Sequence, residues 1–109
     1  MSSNFSYRIS SKAQKDIDEL IAYVATVLFN RTAATKILND LEQAIERVCQ
    51  FPYASNDCTY YGINDENIRY VIVGNYILVY QIDQDANTIV VIRLIYSHKN
   101  ITPSNIGSN

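Results

Sequence analysis

The sequence predicts a two-layer α+β domain of order β-α-α-β-β-β, with a helical hairpin packed on one face of a mainly antiparallel sheet. Three observations predict it. Two stretches, from Ala13 to Leu28 and from Ala33 to Val48, carry apolar residues at helical spacing with only a short break between them. Three apolar runs, Ile68–Val73, Tyr76–Ile82 and Thr88–Lys99, crowd the last third of the chain. Gly74-Asn75 joins the first two runs as a two-residue hairpin turn, because a II′ turn needs φ > 0 at its first central residue and glycine supplies it.

The first element is a short edge strand, where Phe5, Tyr7 and Ile9 alternate with Ser6, Arg8 and Ser10. Ser11 with Gln14 fits a capping box that opens the first helix. Its stripe is Ala13, Ile17, Leu20, Ile21, Val24 and Leu28, and Lys12, Lys15, Asp16 and Glu19 fall off it. Asn30-Arg31 breaks the helix and Thr32 is placed to cap the second. The second stripe is Ala33, Ile37, Leu38, Leu41, Ala44, Ile45 and Val48. Pro52 ends that helix near Gln50, since proline disfavours a helical residue before it. Residues 53–67 read as a polar, irregular loop without Lys or Arg. Residues 1–99 form one domain, and residues 100–109 are expected to be a disordered polar tail.

The hairpin turn fixes the register of the first two C-terminal strands, with Arg69 opposite Tyr80 and Val71 opposite Leu78. If the next loop is centred on Asp85-Ala86, Tyr80 opposes Val91 and Leu78 opposes Arg93. Alternation then sorts the sheet into two faces. One carries Ile68, Tyr70, Ile72, Ile77, Val79, Val90, Ile92, Leu94 and Tyr96 and reads as the floor of the helix-covered core. The other carries Arg69, Val71, Tyr76, Leu78, Tyr80, Val91 and Arg93. It is apolar with embedded guanidinium groups, which reads as an open face meant for a partner. This division predicts that Ile92→Asp unfolds the domain and that Leu78→Lys leaves the fold intact.

The chain has 109 residues, 48% of them hydrophobic, enough for one domain with its own core. A net charge of −2 and a pI of about 5.2 argue against a protein built to grip nucleic-acid backbone, which needs clustered cations. Cys49 and Cys58 have no metal spacing and read as reduced thiols of a cytoplasmic protein. No apolar run reaches membrane-spanning length, and the start lacks the apolar core of a signal peptide.

No glycine-rich phosphate loop and no HExxH pattern is present. His98 is the single histidine, read either as a structural rim residue or as a general acid, a base or a target contact. Arg69 and Arg93 either pair with acids such as Asp65, Glu66 or Asp83, or meet phosphates or carboxylates of a bound macromolecule.

The order of elements and several short patterns resemble the ParE/RelE superfamily of toxins from type II toxin–antitoxin systems. The patterns are Ala13-x-x-Asp16-Ile17-x-x-Leu20-Ile21-x-Tyr23 and Ala34-x-x-Ile37-Leu38-x-x-Leu41 on the helices, then Phe51-Pro52. They continue as Ile68-Arg69-Tyr70-x-x-x-x-Asn75-Tyr76-x-x-x-Tyr80 and Val91-Ile92-Arg93-x-x-x-x-His98-Lys99. The resemblance spans Tyr7 to Lys99 and is closer to the ParE branch, although ParE-like chains often add an arginine after the histidine where this one has Lys99-Asn100. It implies a plasmid-stabilisation toxin that inhibits DNA gyrase, is not itself an enzyme and uses no cofactor or metal. It further implies neutralisation by a cognate antitoxin, and neither membrane association nor direct DNA binding by the toxin alone. Target contacts would then fall on Arg69, Arg93, His98 and Lys99, and antitoxin contacts on Val71, Tyr76, Leu78, Tyr80 and Val91. The alternatives are a RelE-like ribosome-dependent mRNA endoribonuclease with Arg69, Arg93, Tyr96 and His98 in its site, and a degenerate member that only binds antitoxin.

Overall fold

The structure is a computed structural model, and it describes residues 4–59 and 62–96. His98, Lys99 and the tail from residue 100 onward lie outside the described residues.

Strand β1 (Ser6–Ile9) leads into helix α1 (Ser11–Ala22). The cap of α1 is Ser10, one residue before the predicted capping box: its Oγ accepts from Ala13 N at 3.1 Å. Gln14 instead donates to Asp18 Oδ1 one turn further along. The helix continues into one π turn, Tyr23–Val27, and the chain reverses at Phe29, which adopts φ 51°. Asn30, rather than Thr32, caps helix α2 (Arg31–Gln50), its Oδ1 accepting from Ala33 N at 2.9 Å. Thr32 loses that role because the reversal is completed two residues earlier, leaving Asn30 with the non-helical backbone (φ −129°, ψ 82°) a cap needs.

The segment read as a wholly irregular loop contains a two-residue strand, β2 (Asn56–Asp57), which pairs with the start of β3 (Ile68–Val73). Strands β4 (Tyr76–Asp83) and β5 (Thr88–Tyr96) complete a five-stranded sheet in the order β1-β5-β4-β3-β2. Among the described residues only the β1–β5 pair is parallel. The Gly74-Asn75 turn, with Gly74 at φ 60°, sets the predicted β3–β4 register, including Arg69 opposite Tyr80 and Val71 opposite Leu78. The β4–β5 register follows the expectation as far as Tyr80 opposite Val91. A bulge then inserts Ile92, so Val79 opposes Arg93, and Leu78 opposes Leu94 instead of Arg93.

The helices lie on the opposite face from the one predicted. The main core joins Ala13 and Ile17 of α1 and Leu41, Ile45 and Val48 of α2 to Leu78, Tyr80, Ile82, Ile89, Val91 and Leu94 of the sheet. Val71, Val73 and Tyr76 pack at its margin. The face expected beneath the helices instead holds a smaller cluster, Ile68, Tyr70, Ile77, Val79, Ile92 and Ile95 around Cys58 and Ile63. Ile72, assigned to the core, is 67% exposed. Both faces are apolar, and alternation separates them without saying which one a helix covers. The two arginines do not mark an open face: Arg69 bonds to the loop after α2, and Arg93 reaches Asp16 of α1. Cys49 and Cys58 are both free and buried.

Candidate functional site

The two arginines singled out in the sequence are both held by the protein's own groups. Arg69 stands on β3 beneath the loop that follows α2. Its Nη1 donates to Glu66 O at 2.9 Å, and its Nη2 donates to Ser55 O at 2.6 Å and Tyr53 O at 3.3 Å. The guanidinium also sits 5.3 Å from the centre of the Tyr53 ring. Its partners are therefore backbone carbonyls and an aromatic face, not the carboxylates of Asp65, Glu66 or Asp83. Tyr80, fully buried, fastens the same loop from below: its hydroxyl donates to Pro52 O at 2.7 Å and accepts from the Ser55 hydroxyl. Burial pushes the Tyr80 hydroxyl pKa up against the opposing pull of Ser55 and Arg69. Tyr53 in turn donates to Asn67 Oδ1 at 2.6 Å and accepts from Gln84.

Arg93 meets a carboxylate on α1. Its Nε donates to Asp16 Oδ2 at 2.7 Å and its Nη2 to Oδ1 at 3.2 Å, a two-pronged pair with both side chains about four-fifths covered (22% and 16% exposed). In the sequence Asp16 stands off the helical stripe and within the superfamily pattern on α1, with nothing there to mark it as a partner of Arg93. The usable signal was the pair of arginines inside apolar strands, each of which needs acceptors. Asp16 is the acid beside Ile17, one turn from Ala13 on the buried side of α1.

Two surface clefts flank this frame. The larger, about 580 Å³, runs between α2 and β3. It is lined by Asp40, Ala44, Arg47, Val48 and Phe51 on one side and by Tyr70, Val71, Ile72 and Val73 on the other. β2 pairs only with Arg69 and Tyr70, so among the described residues Val71–Val73 have no strand on their outer side. The smaller cleft, about 360 Å³, lies where β5 ends against α1. Asp16 and Arg93 lie in it with Glu19, Tyr23, Tyr76 and Tyr96, and the Tyr76 and Tyr96 ring centres are 5.7 Å apart.

The residues predicted for one open face are thus dispersed. Leu78, Tyr80 and Val91 are buried under the helices and offer nothing to a partner. Val71 lines the larger cleft, and Tyr76 lines the smaller one with Arg93 and Tyr96. Arg69 belongs to the loop clamp. Among the described residues, no group of three His, Cys, Asp or Glu side chains could hold a metal ion. No described helix is long and apolar enough to cross a membrane.

The sequence model for the ParE toxin of the type II toxin–antitoxin system parDE matches residues 7–101. The chain belongs to the ParE toxin family. It is accordingly a toxin of a type II toxin–antitoxin system. The fold agrees with that of two solved chains. A chain of the chromosomal ParDE toxin–antitoxin system from P. aeruginosa superposes with a TM-score of 0.67 at 15% identity, covering 87% of this chain and 98% of that one. A chain of the RelBE2 toxin–antitoxin complex from Mycobacterium tuberculosis superposes with a TM-score of 0.59 at 17% identity, covering 88% and 94%. No curated protein matches the chain closely enough to count as a relative. This chain thus shares its helical hairpin on an open, mostly antiparallel sheet with both solved chains although most residues differ.

Proposed function

We propose that this ParE toxin acts in the cytoplasm on DNA gyrase and is neutralised by a cognate antitoxin that fills the cleft between α2 and β3. Membership of the ParE family, over nearly the whole folded chain, is the observation that carries this reading. The disposition of the arginines supports it over the ribonuclease alternative. A ribosome-dependent nuclease needs cations presented to the scissile phosphate and groups that move protons. Here Arg69 is spent on loop carbonyls and Arg93 on Asp16, in a chain of net charge −2.

The cleft fits a peptide partner because it combines an unpaired stretch of strand edge with exposed apolar side chains. Ile72 and Phe51 stand out of it, and the outer side of Val71–Val73 can accept an added strand. Asp40 and Arg47 on α2 supply charges of both signs at its wall. Of the expected antitoxin contacts Val71 is kept, Leu78, Tyr80 and Val91 give way to Ile72 and Phe51, and Tyr76 lies in the other cleft. Of the expected target contacts, Arg69 and Arg93 are left to their internal partners, and the target is met instead by Tyr96 at the end of β5 and by the His98 and Lys99 that follow it in sequence.

Expression of the chain in bacteria tests the reading. Growth arrest with relaxed plasmid DNA and intact mRNA is the expected result. Cuts in translated mRNA would install the RelE-like reading instead. A chain without either effect would be a degenerate member that has kept only its antitoxin.

A further inference from the structure

Strand β1 ends beside Val91, the last bond of its ladder running from Ser10 N to Val91 O at 2.9 Å. Beyond that point the bulged end of β5 has no strand on this side among the described residues, and side chains bond its backbone instead: Ser10 Oγ donates to Ile92 O at 3.3 Å. Leu94 N donates to Asp16 Oδ2 at 3.0 Å, the oxygen that also accepts from Arg93 Nε. One carboxylate therefore receives three hydrogen bonds from two consecutive residues of the bulge. A neutral amide cannot replace it: asparagine has a single acceptor oxygen, and its NH₂ would face the donors of Arg93.

The slip has a consequence for the end of the strand. An unbulged β5 would continue the register of Tyr80 opposite Val91 and set Ile95 opposite Tyr76. In the structure Tyr96 lies opposite Tyr76, with the two rings in contact, and Ile95 packs into the cluster on the other face. A one-residue slip exchanges the faces of every side chain beyond it.

We propose that Asp16, assisted by Ser10, is the positioning residue of the toxin's target-contacting end. Its carboxylate holds the bulge, and the bulge sets Tyr96 rather than Ile95 opposite Tyr76. The inference rests on the reading that the toxin acts through the end of β5, and it does not depend on which target that end meets.

Asp16→Asn in the full-length chain tests it, with Ile45→Val as a core variant that lowers stability while leaving the Asp16 and Ser10 bonds to β5 in place. In Asp16→Asn the Leu94 amide should exchange at least tenfold faster, the nuclear Overhauser contact between the Tyr76 and Tyr96 rings should disappear, and growth arrest should need at least tenfold more inducer. Ile45→Val should keep the ring contact and arrest growth as wild type does. Unchanged Leu94 exchange with the ring contact retained would overturn the positioning role. Equal loss of toxicity in both variants would overturn it too, since stability alone would then explain the effect. If wild type arrests growth while gyrase stays active, the gyrase reading fails and this test still stands. A wild-type chain that does not arrest growth ends both.

Discussion

Phe29 departs from the backbone preference of its residue type. Phe29 is 89% exposed and sits at φ 51°, a backbone region that costs a bulky side chain about 1 kcal/mol or more. Little packing is lost on truncating it, so Phe29→Gly should raise stability by about 0.5–1 kcal/mol, after allowance for the extra freedom glycine gives the unfolded chain. A higher urea midpoint with an unchanged slope is the expected result, and a lower midpoint would show that the ring makes contacts that matter. Cys58 makes a pH prediction. Its thiol, fully buried on the second face, is pushed up from 9.0 to about 11, first by burial and then by Asp57, with Arg69 pulling the other way. The folded form thus holds this proton more tightly than the unfolded chain does. The stability this brings is complete below pH 9 and is lost as pH rises through about 11. The loss is roughly 2–3 kcal/mol, at about 1.4 kcal/mol per pH unit. Cys58→Ala should flatten that part of the stability–pH curve, and an unchanged alkaline slope would assign it elsewhere. Helix caps were legible only to within one or two residues, because neighbouring Ser10 and Ser11, or Asn30 and Thr32, carry equally good acceptors.

At the scale of elements, pattern and turn chemistry carried most of the information. The two stripes gave α1 and α2, and Gly74-Asn75 gave the β3–β4 register. The bulge was not legible, because its backbone groups are satisfied by Ser10 and Asp16, some eighty residues away in sequence. The choice of covered face was not legible either, since both faces of β3, β4 and β5 are apolar. The contrast between Leu78 and Ile72 tests the corrected assignment. Leu78 is 1% exposed beneath the helices, and a lysine there would bury an unpaired ammonium at a cost of several kcal/mol, comparable with the whole stability of a small domain. Leu78→Lys should therefore abolish cooperative folding. Ile72→Lys should leave the thermal midpoint nearly unchanged and weaken antitoxin binding tenfold or more, as read by calorimetry. A folded Leu78→Lys protein would restore the opposite placement of the helices.

At the scale of the molecule, the order and spacing of elements identified the superfamily from sequence. That level was legible because the fold depends on periodicity and a few turns, and so persists at 15% identity to a solved ParDE chain. The site was less legible. Arginines in apolar strands suggest anion binding, but the same residue type also clamps loops and helices, and only the three-dimensional partners distinguish these uses. The central claim is that this toxin, with its arginines turned inward, disables gyrase rather than cutting RNA. The most direct measurement is ATP-dependent supercoiling of relaxed plasmid by purified gyrase, titrated with the purified chain. The account predicts dose-dependent loss of supercoiling that the cognate antitoxin reverses. Full supercoiling at a large molar excess of folded toxin, alongside cleavage of mRNA on ribosomes by the same preparation, would contradict it.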